Sequence, residues 1–269
     1  MNLIKDIKKF YKEIVEKKAL LLTLVKRDIQ QKYSGTYLGV FWIYFQPLMY
    51  ISVLYVVFTY GLRSAPRGDV PFVSYLISGM IPWMFFSENL NSSSNIIKQY
   101  SFLVKKMDFR LSLLPVVKLL SSIVPHFVFI IIAIIVVVIN GKVINLYFLQ
   151  IFYYAFAMFF LLFGISLLTS SLNLFLPDIA KFISVITQFG FWLTPILWDI
   201  NKIPEKYHWL IKLNPMEYIV SGYRNSLLYD RLFVYNFGQM LYFWIFTFSV
   251  IILGAYVFRK LRPHFAEVV

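Results

Sequence analysis

Few side chains in this sequence have the types and spacing that catalysis or metal binding requires. The three histidines, His126, His208 and His264, lie far apart, and the chain contains no cysteine. Disulfides, thiolate metal sites and a cysteine nucleophile are therefore excluded. None of the motifs G-x-x-x-x-G-K-[ST], H-E-x-x-H and G-x-S-x-G occurs. The sequence predicts no catalytic residue, no metal site and no nucleotide held by a P-loop of this chain.

Ionisable residues beside the apolar segments leave two other function classes open. Glu88 and Asp178 are the candidate acid or base for an enzyme that acts on lipid-linked sugars, and neither has a convincing partner in the sequence. An ion-coupled carrier usually buries several ionisable groups as a relay. Only Glu88 and Lys118 suggest such a role here, and the ordinary interpretation is that both side chains reach towards the membrane surface.

A short apolar stretch in a charged loop is the first candidate binding site. It lies between Lys98 and Asp108. Its residues are Tyr100, Ser101, Phe102, Leu103, Val104, Lys105, Lys106 and Met107. An exposed amphipathic helix of this kind requires a groove in a partner protein to cover its apolar side chains. The alternative is that these side chains rest against the membrane or against other helices of the chain.

The segment from Asp199 to Arg231 is too long for a tight turn and too apolar for a free loop. It divides at Asn214, after which apolar residues recur at helical spacing. The pattern predicts two short helices that dip partway into the outer side of a membrane and line or close a pathway. The residues of this candidate gate are Asn214, Pro215, Met216, Ile219, Val220, Tyr223 and Arg224. An interfacial cap without a gating role is the alternative.

Composition indicates which elements must position these sites. Of the 269 residues, 59% are hydrophobic and 14% are charged. Typical soluble chains are about 45–50% apolar and about 25% charged. A soluble domain of this length needs more polar surface than this chain can supply. The composition therefore predicts an integral membrane protein.

Charged residues are clustered and leave six long uncharged segments. A helix needs about 20 apolar residues to cross the hydrocarbon core of a bilayer. The segments predict an all-α polytopic membrane protein with spans at residues 34–61, 70–93, 112–139, 146–173, 179–198 and 233–258. The fifth is the weakest prediction, because Pro195 lies near its end and can turn the chain early.

The positions of the basic residues predict the orientation. If the N-terminus is inside, 18 of the 26 Lys and Arg residues lie on the cytoplasmic side, so both termini are predicted to be cytoplasmic. Most of the net charge of +13 is then explained by the preference of basic residues for the cytoplasmic side of a membrane, and nucleic acid is not a predicted partner. The expected organisation is an N-terminal segment over 1–32, a six-span domain over 33–262 and a cytoplasmic tail over 263–269.

The N-terminal segment shows a pattern of its own. Leu3, Ile7, Phe10 and Ile14 recur at helical spacing, and lysines occupy the other faces. The pattern predicts a helix on the cytoplasmic surface of the membrane. A helix packed on a partner protein is the alternative, and no cleavable signal peptide is predicted.

Several motifs, in their order and spacing, resemble the membrane subunits of type-two ABC exporters that move O-antigen or teichoic-acid polysaccharides. The resemblance covers nearly the whole chain from about Arg27 onward. In the first half the matching residues are Arg27, Asp28, Ile29, Lys32, Tyr33, Ser34, Gly35, Leu38, Gly39, Trp42, Pro47, Leu48, Tyr75, Leu76, Gly79, Pro82, Trp83, Phe85 and Phe86. They continue with Leu103, Lys105, Lys106, Phe109, Pro177, Asp178, Thr194, Pro195, Asn214, Pro215, Arg224, Arg262, Pro263 and Phe265. The chain departs from the family at Arg110, where a proline is expected, and this changes how the third span begins.

The resemblance implies a half-transporter in the bacterial cytoplasmic membrane. Two copies would form a channel for lipid-linked polysaccharide, and two copies of a separate ABC ATPase subunit would dock beneath it. ATP and Mg²⁺ would bind to that partner, and this chain would hold no cofactor. Export of drugs or small lipids is the close rival, and a secondary carrier working alone is the alternative from another class.

The resemblance also implies roles for the candidate sites. The stretch from Tyr100 to Met107 would be the coupling helix that enters a cleft in the ATPase. The segment from Asp199 to Arg231 would contain the gate helices on the outer side. The N-terminal helix would lie near the place where the lipid-linked substrate enters.

Aromatic residues, 20% of the chain, gain a candidate role from this resemblance. An aromatic ring offers a flat apolar surface along which sugars can slide without a deep binding well. Four aromatic residues fall on one helical stripe of the first span. If that stripe faces the axis of the dimer, the channel is lined by Tyr37, Phe41, Tyr44 and Tyr55. Packing between helices or anchoring at the interface is the alternative.

Overall fold

The structure is a computed structural model that describes residues 3–33, 37–39, 41–61, 70–104 and 110–268. Within these ranges the chain forms α-helices, short 3₁₀ turns and π turns, and no β-strand. The α-helices are α1 (Leu3–Glu16), α2 (Lys18–Tyr33), α3 (Phe41–Val56), α4 (Phe72–Ser94), α5 (Ile96–Gln99), α6 (Ser101–Val104), α7 (Leu114–Ile139), α8 (Gln150–Phe175), α9 (Asp178–Leu193), α10 (His208–Lys212), α11 (Pro215–Arg224), α12 (Phe237–Leu261) and α13 (Phe265–Val268). The predicted all-α fold is confirmed.

Among the described residues, four helical segments are long and apolar enough to cross a membrane. They are Phe41–Gly61, Leu111–Ile139, Leu146–Phe175 and Phe237–Val268. These segments contain α3, α7, α8 and α12 and coincide with the first, third, fourth and sixth predicted spans. The chain is therefore a polytopic membrane protein.

The second predicted span corresponds to α4, a helix of 23 residues at the centre of the bundle. It packs against α3, α7, α8, α9 and α11. Its polar side chains lower its hydropathy, but several of them are buried and bonded to their own helix. The Asn89 amide donates to the carbonyl oxygen of Phe85 at 2.7 Å, and the Ser78 hydroxyl donates to that of Tyr75 at 3.0 Å. Neighbouring helices cover these groups, so α4 needs no continuous apolar surface.

The fifth predicted span is only partly helical. Helix α9 has 16 residues, which at 1.5 Å per residue is about 24 Å. It ends before Pro195, and Thr194–Leu197 continue as buried, non-helical backbone. Irregular backbone at membrane depth is tolerated only where protein or water satisfies its polar groups. The position of Pro195 therefore ends the helix, as the sequence predicted.

The most extensive contact between two helices, that between α8 and α12, depends on two glycines. A Cβ atom at Gly254 would lie 2.5 Å from the carbonyl oxygen of Gly164, and a Cβ atom at Gly164 would lie 2.9 Å from the backbone nitrogen of Ile251. Small residues of this kind allow two membrane helices to approach backbone to backbone.

A second hydrophobic core lies at the end of the bundle that carries α2, α5, α6 and α13, here called the α2 end. Its buried members are Leu21, Leu24, Ile96, Ile97, Tyr100, Leu103, Leu111, Leu113, Leu114, Val117, Leu167, Leu174, Phe258 and Phe265. The N-terminal segment forms two helices, α1 and α2, where the sequence pattern predicted one. Leu21 and Leu24 hold α2 on the bundle, and Phe265 holds the C-terminal helix.

Helix α1 also contacts the bundle. The ring centroids of Phe10 and Phe163 are 5.7 Å apart. The guanidinium of Arg110 lies 5.2 Å from the Phe10 ring and pairs with the Glu13 carboxylate at 3.4 Å. Part of the apolar face of α1 is therefore covered by the chain itself. Tyr11 and Val15 remain exposed.

Candidate functional site

The predicted binding stretch lies at the α2 end, where residues 96–104 form α5 and α6 with a turn at Tyr100. We call residues 96–104 the coupling segment. Tyr100 is 1% exposed and Leu103 is buried in the second core, so the chain itself covers these two side chains. Phe102 is 43% exposed. Lys105, Lys106 and Met107 lie outside the described residues.

The expectation that a partner covers the whole apolar side of this stretch is therefore corrected. Tyr100 and Leu103 anchor the coupling segment from inside, and Phe102 points outward. The predicted stretch begins at the turn after α5, and its described part is the short helix α6, which packs one side on the second core. Periodicity alone does not show which side of so short a helix faces the bundle.

Helix α2 lies beside the coupling segment and contacts the side chains of Phe102 and Gln99. The guanidinium of Arg27 lies 5.1 Å from the centroid of the Phe102 ring. The Gln99 side chain donates to the amide oxygen of Gln31 at 3.4 Å. Burial, followed by the negative charge of Asp28, raises the pKa of Tyr100 to about 12. The coupling segment and α2 thus share polar and apolar contacts.

A buried ion pair joins α2 to α7. The Lys118 ammonium donates to both carboxylate oxygens of Asp28, at 2.9 and 3.0 Å, and the Ser121 hydroxyl donates to Asp28 Oδ2 at 2.6 Å. Asp28 is 2% exposed and Lys118 is 7% exposed. The Lys118 side chain is therefore buried within the bundle, where a carboxylate on another helix satisfies its charge.

A small cleft lies beside this pair, between α2, α3, α4 and α7. Its lining residues are Asp28, Ile29, Ile43, Glu88, Lys118, Ser121, Ser122 and Pro125. Asp178, the other candidate acid or base, does not line the cleft and pairs with Lys181 in the next turn of α9 at 3.3 Å. In the part of the chain that the structure describes, no three His, Asp or Glu residues form a group that could hold a metal ion.

The predicted gate segment forms α10 and α11, with the break at Asn214. The Asn214 side chain accepts a hydrogen bond from the backbone N–H of Met216 at 3.0 Å and donates to Thr194 Oγ1 at 2.7 Å. Asparagine is a favoured N-cap residue, and proline is favoured at the first helical position, which Pro215 occupies here. The predicted division into two helices at Asn214 is confirmed. The capping bond of Asn214 and the position of Pro215 explain why α11 begins there.

Helix α11 is buried on nearly all sides, which the sequence pattern did not indicate. Met216, Ile219, Val220 and Tyr223 face the core as expected. Glu217 and Arg224 are charged residues, but both are buried as well. Glu217 accepts hydrogen bonds from Ser221 Oγ at 2.6 Å and from the Gln239 amide on α12. Polar partners within the bundle therefore replace water.

Arg224 joins α11 to α4 and to the irregular backbone after α9. Its guanidinium donates to the carbonyl oxygens of Pro195 and Ile196 at 2.5 and 2.6 Å, and lies 3.5 Å from the centroid of the Tyr75 ring. The Tyr75 hydroxyl donates to the carbonyl oxygen of Trp198 at 2.9 Å. These bonds satisfy carbonyl groups of the non-helical backbone that follows α9.

A polar cluster closes the end of the bundle that carries α11, here called the α11 end. Lys142 Nζ donates to Asp230 Oδ2 at 2.6 Å and to the Leu228 carbonyl oxygen at 2.9 Å, and Asn145 donates to Asp230 Oδ1 at 2.7 Å. Burial raises the pKa of Asp230, but the bonds from Lys142 and Asn145 outweigh it and lower that pKa. No local sequence pattern predicts this cluster, because each of these hydrogen bonds joins residues at least 85 positions apart in the chain.

The predicted aromatic stripe does not form one free surface. Tyr37 and Phe41 are exposed, whereas Tyr44 and Tyr55 are partly buried against the main core. The Tyr44 ring lies 5.9 Å from that of Phe129, measured between centroids. Two of the four predicted channel residues therefore face the chain's own bundle, because the stripe includes the side of α3 that packs against α4.

Other aromatic residues accompany Phe41 on the exposed side of α3. Its ring stacks on Phe45 with centroids 5.0 Å apart, and Trp42 lies edge-on to Phe45 at 5.7 Å. All three residues are exposed. The sequence analysis missed Phe45, although its spacing of i+4 from Phe41 places both on one helical face.

The chain was compared with known proteins. It matches the family model described as ABC-2 type transporter over residues 19–228. It is 28% identical over 251 residues to the O-antigen export system permease protein RfbA of Klebsiella pneumoniae, covering 93% of this chain and 94% of the relative. The protein of the same name from Myxococcus xanthus is 22% identical over 265 residues, with coverage of 95% and 97%. The polysialic acid transport protein KpsM of Escherichia coli is 23% identical over 248 residues, with coverage of 90% and 93%.

The family model covers most of the chain, and the relatives align along nearly their whole length. Two of these three relatives are named as permeases and the third as a transport protein. The match includes α2, the coupling segment and α11, and thus the residues that form the candidate sites. This chain belongs to the ABC-2 type transporter family and is a transporter permease.

Proposed function

We propose that this chain is the channel-forming subunit of an ATP-driven exporter that moves lipid-linked polysaccharide across the bacterial cytoplasmic membrane. The observation that carries the proposal is the full-length similarity to permeases named for O-antigen export and to a transport protein named for polysialic acid. Teichoic-acid polymers belong to the same proposed substrate class.

The proposed assembly is a homodimer with two copies of a separate ABC ATPase, which binds ATP and Mg²⁺. The coupling segment is the proposed ATPase contact. Support comes from its geometry, because Tyr100 and Leu103 anchor it in the second core and leave Phe102 accessible beside Arg27. An anchored segment with one outward aromatic side chain can transmit a displacement from a docked partner.

The proposed membrane arrangement has six spans and cytoplasmic termini. Helices α4 and α9 supply the second and fifth spans beside the four apolar segments. Helices α10 and α11 then form re-entrant pieces on the outer side that gate the pathway. The buried irregular backbone at Thr194–Leu197 and its bonds to Arg224 support this arrangement, since protein groups satisfy the carbonyls that a straight span would have bonded internally.

The proposed sugar-conducting surface is the exposed aromatic side of α3. Phe41 belongs to it, Trp42 and Phe45 extend it, and Tyr37 adds an exposed ring from the turn that precedes α3. Such rings can contact the C–H faces of many sugars. Tyr44 and Tyr55 are not included, because they pack towards the main core.

Substitution of Phe102 by Asp tests the proposed function. A carboxylate at this exposed position disrupts an apolar contact with the ATPase without opening a cavity in this chain. We expect the ATPase to be lost from affinity-purified complexes and polymer to accumulate inside the cell. Leu103 is a poor choice for the test, because it is buried and its substitution by Asp would destabilise the fold.

Tyr235→Asp is the matched control for Phe102→Asp. Tyr235 is also exposed and also lies beside an arginine, with Arg231 at 4.8 Å from its ring centroid, but it is at the α11 end. We expect this variant to retain the ATPase. Normal ATPase association and normal export by Phe102→Asp would exclude the coupling segment from the mechanism.

A further inference from the structure

Helix α2 is the element that makes directional polar contacts with both the coupling segment and α7. Towards the coupling segment, Arg27 lies over Phe102 and Gln31 accepts from Gln99. Towards α7, Asp28 accepts two bonds from Lys118 and one from Ser121. Neighbouring residues of one helix thus hold two elements that are separate in the chain.

Direct contacts between the coupling segment and α7 are of a different kind. Ile96, Ile97 and Leu103 belong to the same buried core as Leu114 and Val117, and α5 packs against α7. Apolar contacts are non-directional and tolerate small sliding movements, whereas a hydrogen-bonded ion pair has a defined geometry. The contacts of Asp28 therefore determine the register between α2 and α7 more strictly than the apolar contacts do.

Stability alone does not explain a buried ion pair at this position. Removing two charges from water is costly, and replacement of such a pair by apolar side chains of similar volume is often neutral or stabilising. The best-supported benefit of a buried polar pair is that it specifies one register. Asp28 also has a third bond, from Ser121, which fixes the orientation of its carboxylate on α7.

The small cleft lies between the Asp28–Lys118 ion pair and α3. Ile43 on α3 and Pro125 on α7 lie across the same open space, together with Glu88 on α4. The packing between α2 and α7 is therefore direct at the ion pair, and the contact with α3 is interrupted only locally, since the Tyr44 ring on α3 lies 5.9 Å from the Phe129 ring on α7.

We propose that Asp28 is a positioning residue that locks α2 to α7, so that displacement of the coupling segment by the ATPase moves α2 and α7 as one unit. The inference rests on the proposed function, because it requires a docked ATPase. It assigns to α2 a mechanical role within the bundle.

The test separates a mechanical role from a structural one by removing both charges together. In the double variant Asp28→Leu with Lys118→Met, no buried charge is left unpaired, so the fold is preserved. The full chain is co-expressed with its ATPase, and three quantities are measured: thermal unfolding midpoint, ATP hydrolysis, and polymer exported per ATP hydrolysed. We expect assembly and hydrolysis to persist and export per ATP to fall at least tenfold. Wild-type export per ATP in the double variant would overturn the proposal.

The control removes another ion pair at the α2 end. Glu13 and Arg110 pair at 3.4 Å and join α1 to the start of α7 without involving α2. The double variant Glu13→Gln with Arg110→Met is expected to keep the wild-type export per ATP. A fall equal to that of the Asp28 and Lys118 variant would mean that any ion pair at this end has the same effect, and would overturn the specific role of Asp28.

A milder variant keeps the proposal testable if the double variant does not assemble. Ser121→Ala removes one of the three bonds to Asp28 and leaves the ion pair intact. We expect a smaller decrease in export per ATP with normal assembly, and no decrease would contradict the proposal. Absence of both ATPase association and polymer export in the wild-type chain would instead refute the proposed function, so the two failures are distinguishable.

Discussion

Arg224 and Lys118 are buried cations that join helices at opposite ends of the bundle. Lys118 is neutralised by the Asp28 carboxylate. Arg224 donates to two backbone carbonyl oxygens and lies over an aromatic ring. The planar guanidinium suits this site because it can bond two acceptors and stack at the same time. An ammonium group offers no equivalent geometry.

Arg224→Lys is therefore expected to destabilise the fold although it conserves the charge. A lysine ammonium lacks the two parallel N–H donors that bond the Pro195 and Ile196 oxygens. It also has no planar group that could stack on the Tyr75 ring. The loss of one charge-assisted hydrogen bond is worth about 2 kcal/mol. We expect a lower thermal unfolding midpoint for the detergent-purified variant than for the wild-type protein. Arg231→Lys, at an exposed arginine, is the control, and equal midpoints for both variants would contradict this account.

At the scale of elements, close approach between helices depends on glycine. Helices α8 and α12 form the most extensive helix pair in the bundle, and their backbones meet at Gly164 and Gly254. Lipid provides little hydrophobic drive for association between spans, so close packing supplies much of the attraction. Substitution at the crossing should therefore affect the whole pair.

Gly254→Val is expected to separate α8 from α12, because its Cβ atom would lie 2.5 Å from the Gly164 carbonyl oxygen. Overpacking of a tight site typically costs about 1–3 kcal/mol. Gly238→Val is the matched control on the same helix, since a Cβ atom at Gly238 has no neighbour within 4 Å. Thermal unfolding of the two variants gives the comparison, and similar midpoints would show that the contact at Gly254 is not tight.

The whole molecule has two ends of different character. The α2 end contains the second core, the buried ion pair and the coupling segment. The α11 end contains Arg224, the irregular backbone after α9 and the Asp230 cluster. In the proposed orientation the first end faces the cytoplasm and the second faces outward, so ATP-driven movement enters at one end and the gate lies at the other.

Single cysteines can test this orientation directly, because the sequence contains no cysteine and the unsubstituted chain provides the background. We expect an impermeant maleimide added to intact cells to label Lys202→Cys and Lys206→Cys. It should not label Lys181→Cys or Lys260→Cys until the membrane is opened. Labelling of Lys181→Cys from outside would contradict the placement of α9 as the fifth span.

Local sequence patterns were sufficient to predict those helices whose defining residues lie within one continuous segment of the chain. Apolar length identified the spans that contain α3, α7, α8 and α12, and the Asn214–Pro215 pair identified the start of α11. The signals of the second and fifth spans were less reliable, because α4 is covered by other helices and α9 ends at a buried irregular turn. Hydropathy measures exposure to lipid well, but it does not detect burial against protein.

Only the tertiary structure decided which residues meet across distant parts of the chain. Asp28 and Lys118 are 90 residues apart, and nothing local to either predicts that each is satisfied by the other. The direction of the aromatic stripe on α3 and the inward position of Tyr100 depend in the same way on neighbouring helices. By itself, therefore, the sequence determined a polytopic helical permease and the helix start at Asn214, and it predicted a binding segment and an outer gate that remain proposals. The contacts that join these parts depend on tertiary packing, because the free energy of a buried charge or ring is set by its neighbours in space.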